Sequence, residues 1–219
     1  MSTARELLIV AMDMTSVRTV ERGALSLALA GAEAIDLLAV GAITLDGDRI
    51  VPSDGSAADR PPATGGPGGT DLPGDPLLSD AASSFVRQAP YESVGNWLWR
   101  RGRNLSAIYT AALEAEGQLV RRHHRRWGVF RSSELVLVDS PARRRAADRW
   151  RADEPVLAAL ATAVGIRDKR TDDSPAVTDE AVGTVLTAVD DALSELTAES
   201  ERRAHKLDDA AITNVRRGY

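Results

Sequence analysis

No cysteine occurs among the 219 residues. That excludes a disulfide framework, a zinc ribbon, an iron–sulfur centre and a thiol nucleophile. Lysine is nearly missing too: Lys169 and Lys206 are the only two, so guanidinium groups carry almost all the positive charge. Aromatic residues make up only 4%. No uninterrupted apolar run is long enough for a bilayer span. Residues 25–45 approach the roughly 20 required, but Glu33 and Asp36 sit mid-run, and each is costly in hydrocarbon. This stretch therefore predicts a buried helix of a soluble protein. The apolar stretch 7–12, bordered by Glu6, is too short for a signal peptide, and a cytoplasmic location is expected.

Catalytic signatures are absent as well. There is no G-x-S-x-G elbow, no G-x-x-x-x-G-K-[ST] loop and no H-E-x-x-H pair. The glycines at 65–69 follow Pro and Asp rather than a strand, so they do not read as a phosphate loop. His123 and His124 are adjacent; in an extended strand they face opposite ways, which is poor geometry for one metal. Neither an enzyme nor a cofactor is expected.

The chain reads as mainly α: a single globular helical domain over 1–205 with two short β-hairpins, then a charged tail over 206–219. A short helix begins near Leu7. The clearest helix spans 22–40, apolar at three-to-four spacing and rich in small residues (Ala28, Ala30, Gly31, Ala32, Ala34) that permit close helix approach. Asp46-Gly47 between apolar arms predicts the first hairpin. Residues 52–74 are Pro, Gly, Ser and Asp with almost nothing apolar to bury, and predict a flexible loop. Asp75-Pro76 opens a helix to about 88, and further helices follow over 93–101 and 104–116. Leu119-Val120 and Trp127 to Phe130 read as two arms around the basic tip 121–126, with an extra extended piece over 134–138. Helices over 141–151, 154–164 and 178–204 complete the chain, and the last 15 residues are expected to fray.

The net charge of −5 hides a strong asymmetry. Residues 100–151 hold thirteen arginines and five acids, a local charge of +8, against −13 elsewhere. One reading is a positive face for an anionic partner; the other is a set of solvated helix faces paired with the acidic remainder. The cluster Arg121, Arg122, Arg125 and Arg126 beside Trp127 and Phe130 has the composition of an interfacial membrane contact: cations for headgroups, rings for the acyl boundary. The alternative places Trp127 and Phe130 in the core.

The motif order resembles the Golgi phosphoprotein 3 family, its bacterial members in particular. The resemblance rests on Glu6-Leu7-Leu8-Ile9-Val10-Ala11-Met12-Asp13, on Leu29-Ala30-Gly31-Ala32 leading to Leu37 through Leu45, on Asp75-Pro76-Leu77-Leu78, and on the helix from Arg103 running into Gly117-Gln118-Leu119. It implies a helical domain peripherally associated with membranes. It also implies a shallow basic pocket for phosphatidylinositol 4-phosphate, an inserting β-hairpin over 119–130, and contacts with cytosolic tails of membrane enzymes. The family's pocket tryptophan, its helix arginine and its two arginines one turn apart fall by motif on Glu21, Ala30, Arg103 and Ser106. Arg103 alone keeps the family's residue, and Arg22, Arg100 and Arg101 are nearby replacements.

The functional expectation is thus an anionic membrane lipid as partner, with Arg103, Arg100, Arg101 and Ser106 at the headgroup and the 121–130 cluster on the hairpin. A winged-helix nucleic-acid binder, with helix 103–116 for recognition and hairpin 118–131 as wing, is the rival. It is disfavoured because that helix offers Arg103 but also Glu114 and Glu116. A protein-binding scaffold using the 52–74 loop or the last helix, and a homo-oligomer, both stay open.

Overall fold

A computed structural model describes residues 1–14, 20–53, 75–126, 130–166 and 177–217, with backbone only for 123–126, 130–133 and 208–217. Within these residues eight helices and two antiparallel hairpins form a mainly α fold, 66% helical. No described helix is long and apolar enough to cross a membrane.

Helix α2 (Arg22–Ala39) is the central element, buried from Leu25 through Ile35 and again at Leu37. Its small residues have the predicted consequence. Helix α8 (Glu180–Arg217) crosses α2 so closely that a Cβ on Gly31 would lie 2.4 Å from Val189 Cγ2. Helix α1 (Thr3–Met14) packs along α2 and buries every residue from Thr3 to Ala11. Helix α4 (Val94–Arg101) drives Trp97 into the core, where its indole N–H donates to the Ala30 carbonyl at 3.4 Å and its ring stacks on Phe85 at 4.1 Å.

The two acids that interrupt the apolar run of α2 are built into polar networks. Glu33 is fully buried and takes a bidentate bond from Arg101 (2.7 and 3.0 Å), with the Tyr109 hydroxyl donating at 2.9 Å. Arg101 extends the network to Asp80. Asp36 accepts the backbone N–H and the hydroxyl of Thr3, both at 2.7 Å, and so ties α1 to α2. A third knot joins Arg5 to Asp75 and Glu116, both at 2.7 Å, which fastens α1 to the N-cap of α3 (Pro76–Ser83) and to the end of α5 (Leu105–Ala115).

The first hairpin pairs β1 (Ile43–Asp46) with β2 (Arg49–Pro52). Its two-residue turn is Gly47–Asp48 rather than Asp46–Gly47, with Gly47 at φ +59° as a glycine-first turn requires. The second hairpin corrects the sequence reading. Strand β3 (Leu119–Arg126) runs straight through the basic cluster and pairs with β4 (Phe130–Leu137), from Leu119↔Leu137 to Arg126↔Phe130. The arginines therefore lie along one strand, with Arg125 and Arg126 in its last two pairs, and do not form the turn itself. The true apolar partners of Leu119 and Val120 are Leu137 and Val136, which the sequence reading set aside as a separate extended piece. Trp127 and the 54–74 part of the expected loop lie outside the described residues.

Helix α3 stops at Ser83, well short of 88, because Ser84 caps it through Ala81. Helices α6 (Pro141–Arg151) and α7 (Pro155–Ala163) match expectation. Helix α8 continues to Arg217 instead of fraying after 204. No glycine or proline interrupts it between Gly183 and Gly218, and Glu199 pairs with Arg202 and Arg203 one turn on.

Candidate functional site

A groove of about 780 Å³ opens where the first turn of α2, the α4–α5 corner and the second hairpin meet. Leu8, Met12, Leu25, Leu135 and Leu196 make it apolar, and three arginines, Arg22, Arg103 and Arg121, line it together with one acid, Glu114. Trp99 joins the same wall and remains 38% exposed.

The local sequence explains why these groups converge. Gly102 lets the α4–α5 corner sit on α2: a Cβ there would be 3.3 Å from both the Ser26 carbonyl and Leu27 Cδ2. Asn104 turns the chain with φ 60°, a left-handed conformation that asparagine tolerates better than most residues. Arg103 stands exposed between the two. The first turns of α2 and α5 are then tied together by serines. The Ser106 N–H donates to Ser26 Oγ (3.0 Å), the Ser26 hydroxyl donates to the Arg22 carbonyl (2.8 Å), and the two hydroxyl oxygens lie 2.9 Å apart. The backbone of Arg22 is thus anchored to the helix that Arg103 precedes.

Among the described residues, no side-chain hydrogen bond or ion pair engages the guanidinium of Arg22 or Arg103, whereas Arg121 is held by Glu114 at 3.0 Å. Arg22 and Gly23, both in the groove wall, begin an 18-residue helix whose N-cap side chain makes no capping bond. First-turn N–H groups and the positive end of the helix dipole favour an anion there. Glu21, exposed at that N-cap, is the opposing charge.

The sequence-predicted site residues divide sharply. Arg103 and Arg121 line the groove. Ser106 lines it as well, but it is buried and its hydroxyl is taken up by the α2–α5 tie. Arg100 points away, paired with Glu92 at 2.6 Å and lying over the Trp97 ring at 5.1 Å. Arg101 is locked into the buried Glu33 network, which holds its guanidinium well above its ordinary range. Neither reaches the groove. Arg122 is exposed in β3 opposite Glu134. Arg125, Arg126 and Phe130 take hairpin positions by register. Ala30, at the family's helix-arginine position, is fully buried beneath the Trp97 indole.

Of the ten arginines in 100–151 whose side chains are described, seven are ion-paired: Arg100, Arg101, Arg121, Arg143, Arg144, Arg149 and Arg151. Glu92, Glu33, Asp80, Asp13, Glu6 and Glu154 from the acidic remainder supply six of the partners. The +8 segment is therefore not one positive face. Part of its charge is spent in ion pairs to acids elsewhere in the fold.

Trp99 is the groove residue that sequence reasoning did not single out. The signal was present: two tryptophans two positions apart on a helix fall on different faces, and Trp97 fills the core one.

No curated protein matches the chain. The family model described as Golgi phosphoprotein 3 (GPP34) matches residues 4–211, nearly its whole length. With the eight-helix, two-hairpin architecture and the order of motifs already described, this settles the relationship: the chain belongs to the Golgi phosphoprotein 3 family.

Proposed function

We propose that this protein associates peripherally with membranes by binding anionic phospholipid headgroups in the groove between α2, α5 and the second hairpin. Phosphatidylinositol 4-phosphate is the headgroup that the family resemblance suggests. One observation carries the reading: Arg22 and Arg103 line one groove without a counter-ion among the described residues, beside the exposed indole of Trp99. A phosphate placed there would meet two free guanidinium groups and the first turn of α2. The ring beside it suits the headgroup level of a bilayer. Strand β3, with Arg121, Arg122, Arg125 and Arg126 along it, would extend the positive field over neighbouring lipids.

Each basic residue close to an anionic surface contributes on the order of 1 kcal/mol. Two or three give weak, reversible and salt-sensitive association, the expected behaviour of a peripheral protein. The exposed side of α5 supports this reading over a nucleic-acid one. It presents Ala107, Ile108 and Ala111, where a recognition helix would need donors for phosphates and base edges.

Vesicle flotation tests the reading. The protein should float with phosphatidylcholine vesicles containing phosphatidylserine or phosphatidylinositol 4-phosphate, and stay down with phosphatidylcholine alone. Equal recovery on neutral and anionic vesicles would contradict it. Comparing the two anionic lipids at equal charge reads selectivity separately, since by motif the family's pocket tryptophan and helix arginine fall on Glu21 and Ala30.

A further inference from the structure

Helix α5 has an unusual outer face. Its buried side holds Leu105, Ser106, Tyr109 and Leu113. Its exposed arc is Asn104, Ala107, Ile108, Ala111 and Ala115, with no charge at all. The one ionisable group on the helix apart from Tyr109 is Glu114, and Arg121 neutralises it at 3.0 Å. Solvent-facing helix arcs normally carry the charged residues; this one offers methyl groups and a branched aliphatic side chain 41% exposed. Ala107 and Ala111 also line the headgroup groove, so the arc adjoins it along one edge, with Arg103 at its N-terminal end and Trp99 across the α4–α5 corner.

An uncharged face flanked by free arginines and an exposed indole matches the bilayer interface in both parts. The cations meet phosphates, and the apolar arc enters the acyl boundary without stripping water from a charge. We propose that, in the membrane-bound state, α5 lies in the plane of an anionic bilayer, with the Ala107–Ile108–Ala111–Ala115 arc embedded in the interfacial zone beside Trp99. This rests on the lipid-binding reading above and adds a docking orientation to it. The hairpin is then not the sole contact, and the groove opens toward the lipid surface because the arc along its edge sits in that surface.

The absence of cysteine makes a direct test simple, since Ile108→Cys supplies a unique thiol for an environment-sensitive fluorophore. The control is Ala39→Cys, exposed at the far end of α2 and seventeen residues from Arg22, about 25 Å along the helix. Both labelled proteins are mixed with phosphatidylcholine vesicles containing phosphatidylserine, with and without brominated acyl chains. The label at 108 should shift to the blue and be quenched by the bromolipid, and the label at 39 should do neither. Ile108→Glu, checked for native circular dichroism, should weaken vesicle partitioning roughly tenfold, the scale that burial of one aliphatic side chain supports. If the proteins float with the vesicles while the label at 108 stays wet and unquenched, the inference is overturned and the lipid reading stands. If nothing floats, the lipid reading fails and takes this inference with it.

Discussion

Arg101 is the residue on which the sequence and the structure give the most different answers, and removing it separates them. The substitution is Arg101→Met, which keeps a flexible apolar stem and deletes the guanidinium. In the folded protein Glu33 would lose both charge-assisted bonds while remaining fully buried, with only the Tyr109 hydroxyl to stabilise it. Breaking a buried pair from one side costs about 3–5 kcal/mol, because an uncompensated charge is left inside. For a chain of this length each kcal/mol moves the melting temperature by about 2–4 °C, so a fall of roughly 6–20 °C is expected by calorimetry or circular dichroism. Glu33→Gln on top of Arg101→Met removes the stranded charge and should recover more than half of the loss.

The pH dependence has a fixed sign. Burial already raises the Glu33 carboxyl, against the opposing pull of Arg101. With Arg101 gone it rises further. A carboxyl raised in the fold favours the folded state at low pH, and that contribution is lost as pH climbs through the folded value. The deficit of Arg101→Met should therefore be smaller near pH 5 than near pH 8. A loss under about 1 kcal/mol, or no rescue by Glu33→Gln, would refute the buried-network account and reopen Arg101 as a surface ligand.

Gly31→Ala forces a methyl to within 2.4 Å of Val189 Cγ2 and should destabilise by about 1–3 kcal/mol. Val189→Ala in the same chain should relieve part of that, as chemical denaturation of the single and double variants will report. Burial pushes the Asp36 carboxyl up to about 6 from its ordinary value of 3.8. Its contribution to folding is thus present below about pH 4 and lost as pH rises through about 6, by roughly 3 kcal/mol. In Asp36→Asn this segment of the stability-versus-pH curve should flatten, whereas an unchanged slope would locate the titrating group elsewhere. Ser106→Ala should cost about 1 kcal/mol of stability and leave vesicle binding of the folded protein within a factor of about two, since its hydroxyl faces α2; a large binding loss without a stability change would make it a ligand donor after all.

Much of the fold was legible because its signals are local. The 22–40 helix, the capped start at Asp75-Pro76 and the end of the 104–116 helix before Gly117 each rest on residues close in sequence. The second hairpin was harder. Its basic strand has no apolar alternation to fix the register, so the polar cluster passed for a turn, and the pairing partners of Leu119 and Val120 lay eighteen and sixteen residues away. The site split along the same line. Arg103 was legible from its motif, and Arg121 from the basic cluster. The contacts that Arg101 and Ser106 make could not be read from sequence because their partners, Glu33 on one side and Ser26 with the Arg22 carbonyl on the other, come from a helix 68 to 84 residues earlier. Charge summed by segment misled for the same reason: an arginine's role depends on whether an acid meets it in space, and sequence distance does not report that.

The central claim is that two uncompensated guanidinium groups in one groove, and not the overall count of arginines, recruit this protein to anionic lipid. The most direct measurement compares flotation of the wild type, Arg22→Glu/Arg103→Glu and Arg100→Gln on phosphatidylcholine vesicles containing phosphatidylserine or phosphatidylinositol 4-phosphate. The groove double variant should lose at least about 2 kcal/mol of binding, a factor of roughly thirty, while Arg100→Gln, whose partner is Glu92 outside the groove, stays close to wild type. Equal losses for both variants, or full binding by the double variant, would contradict the account.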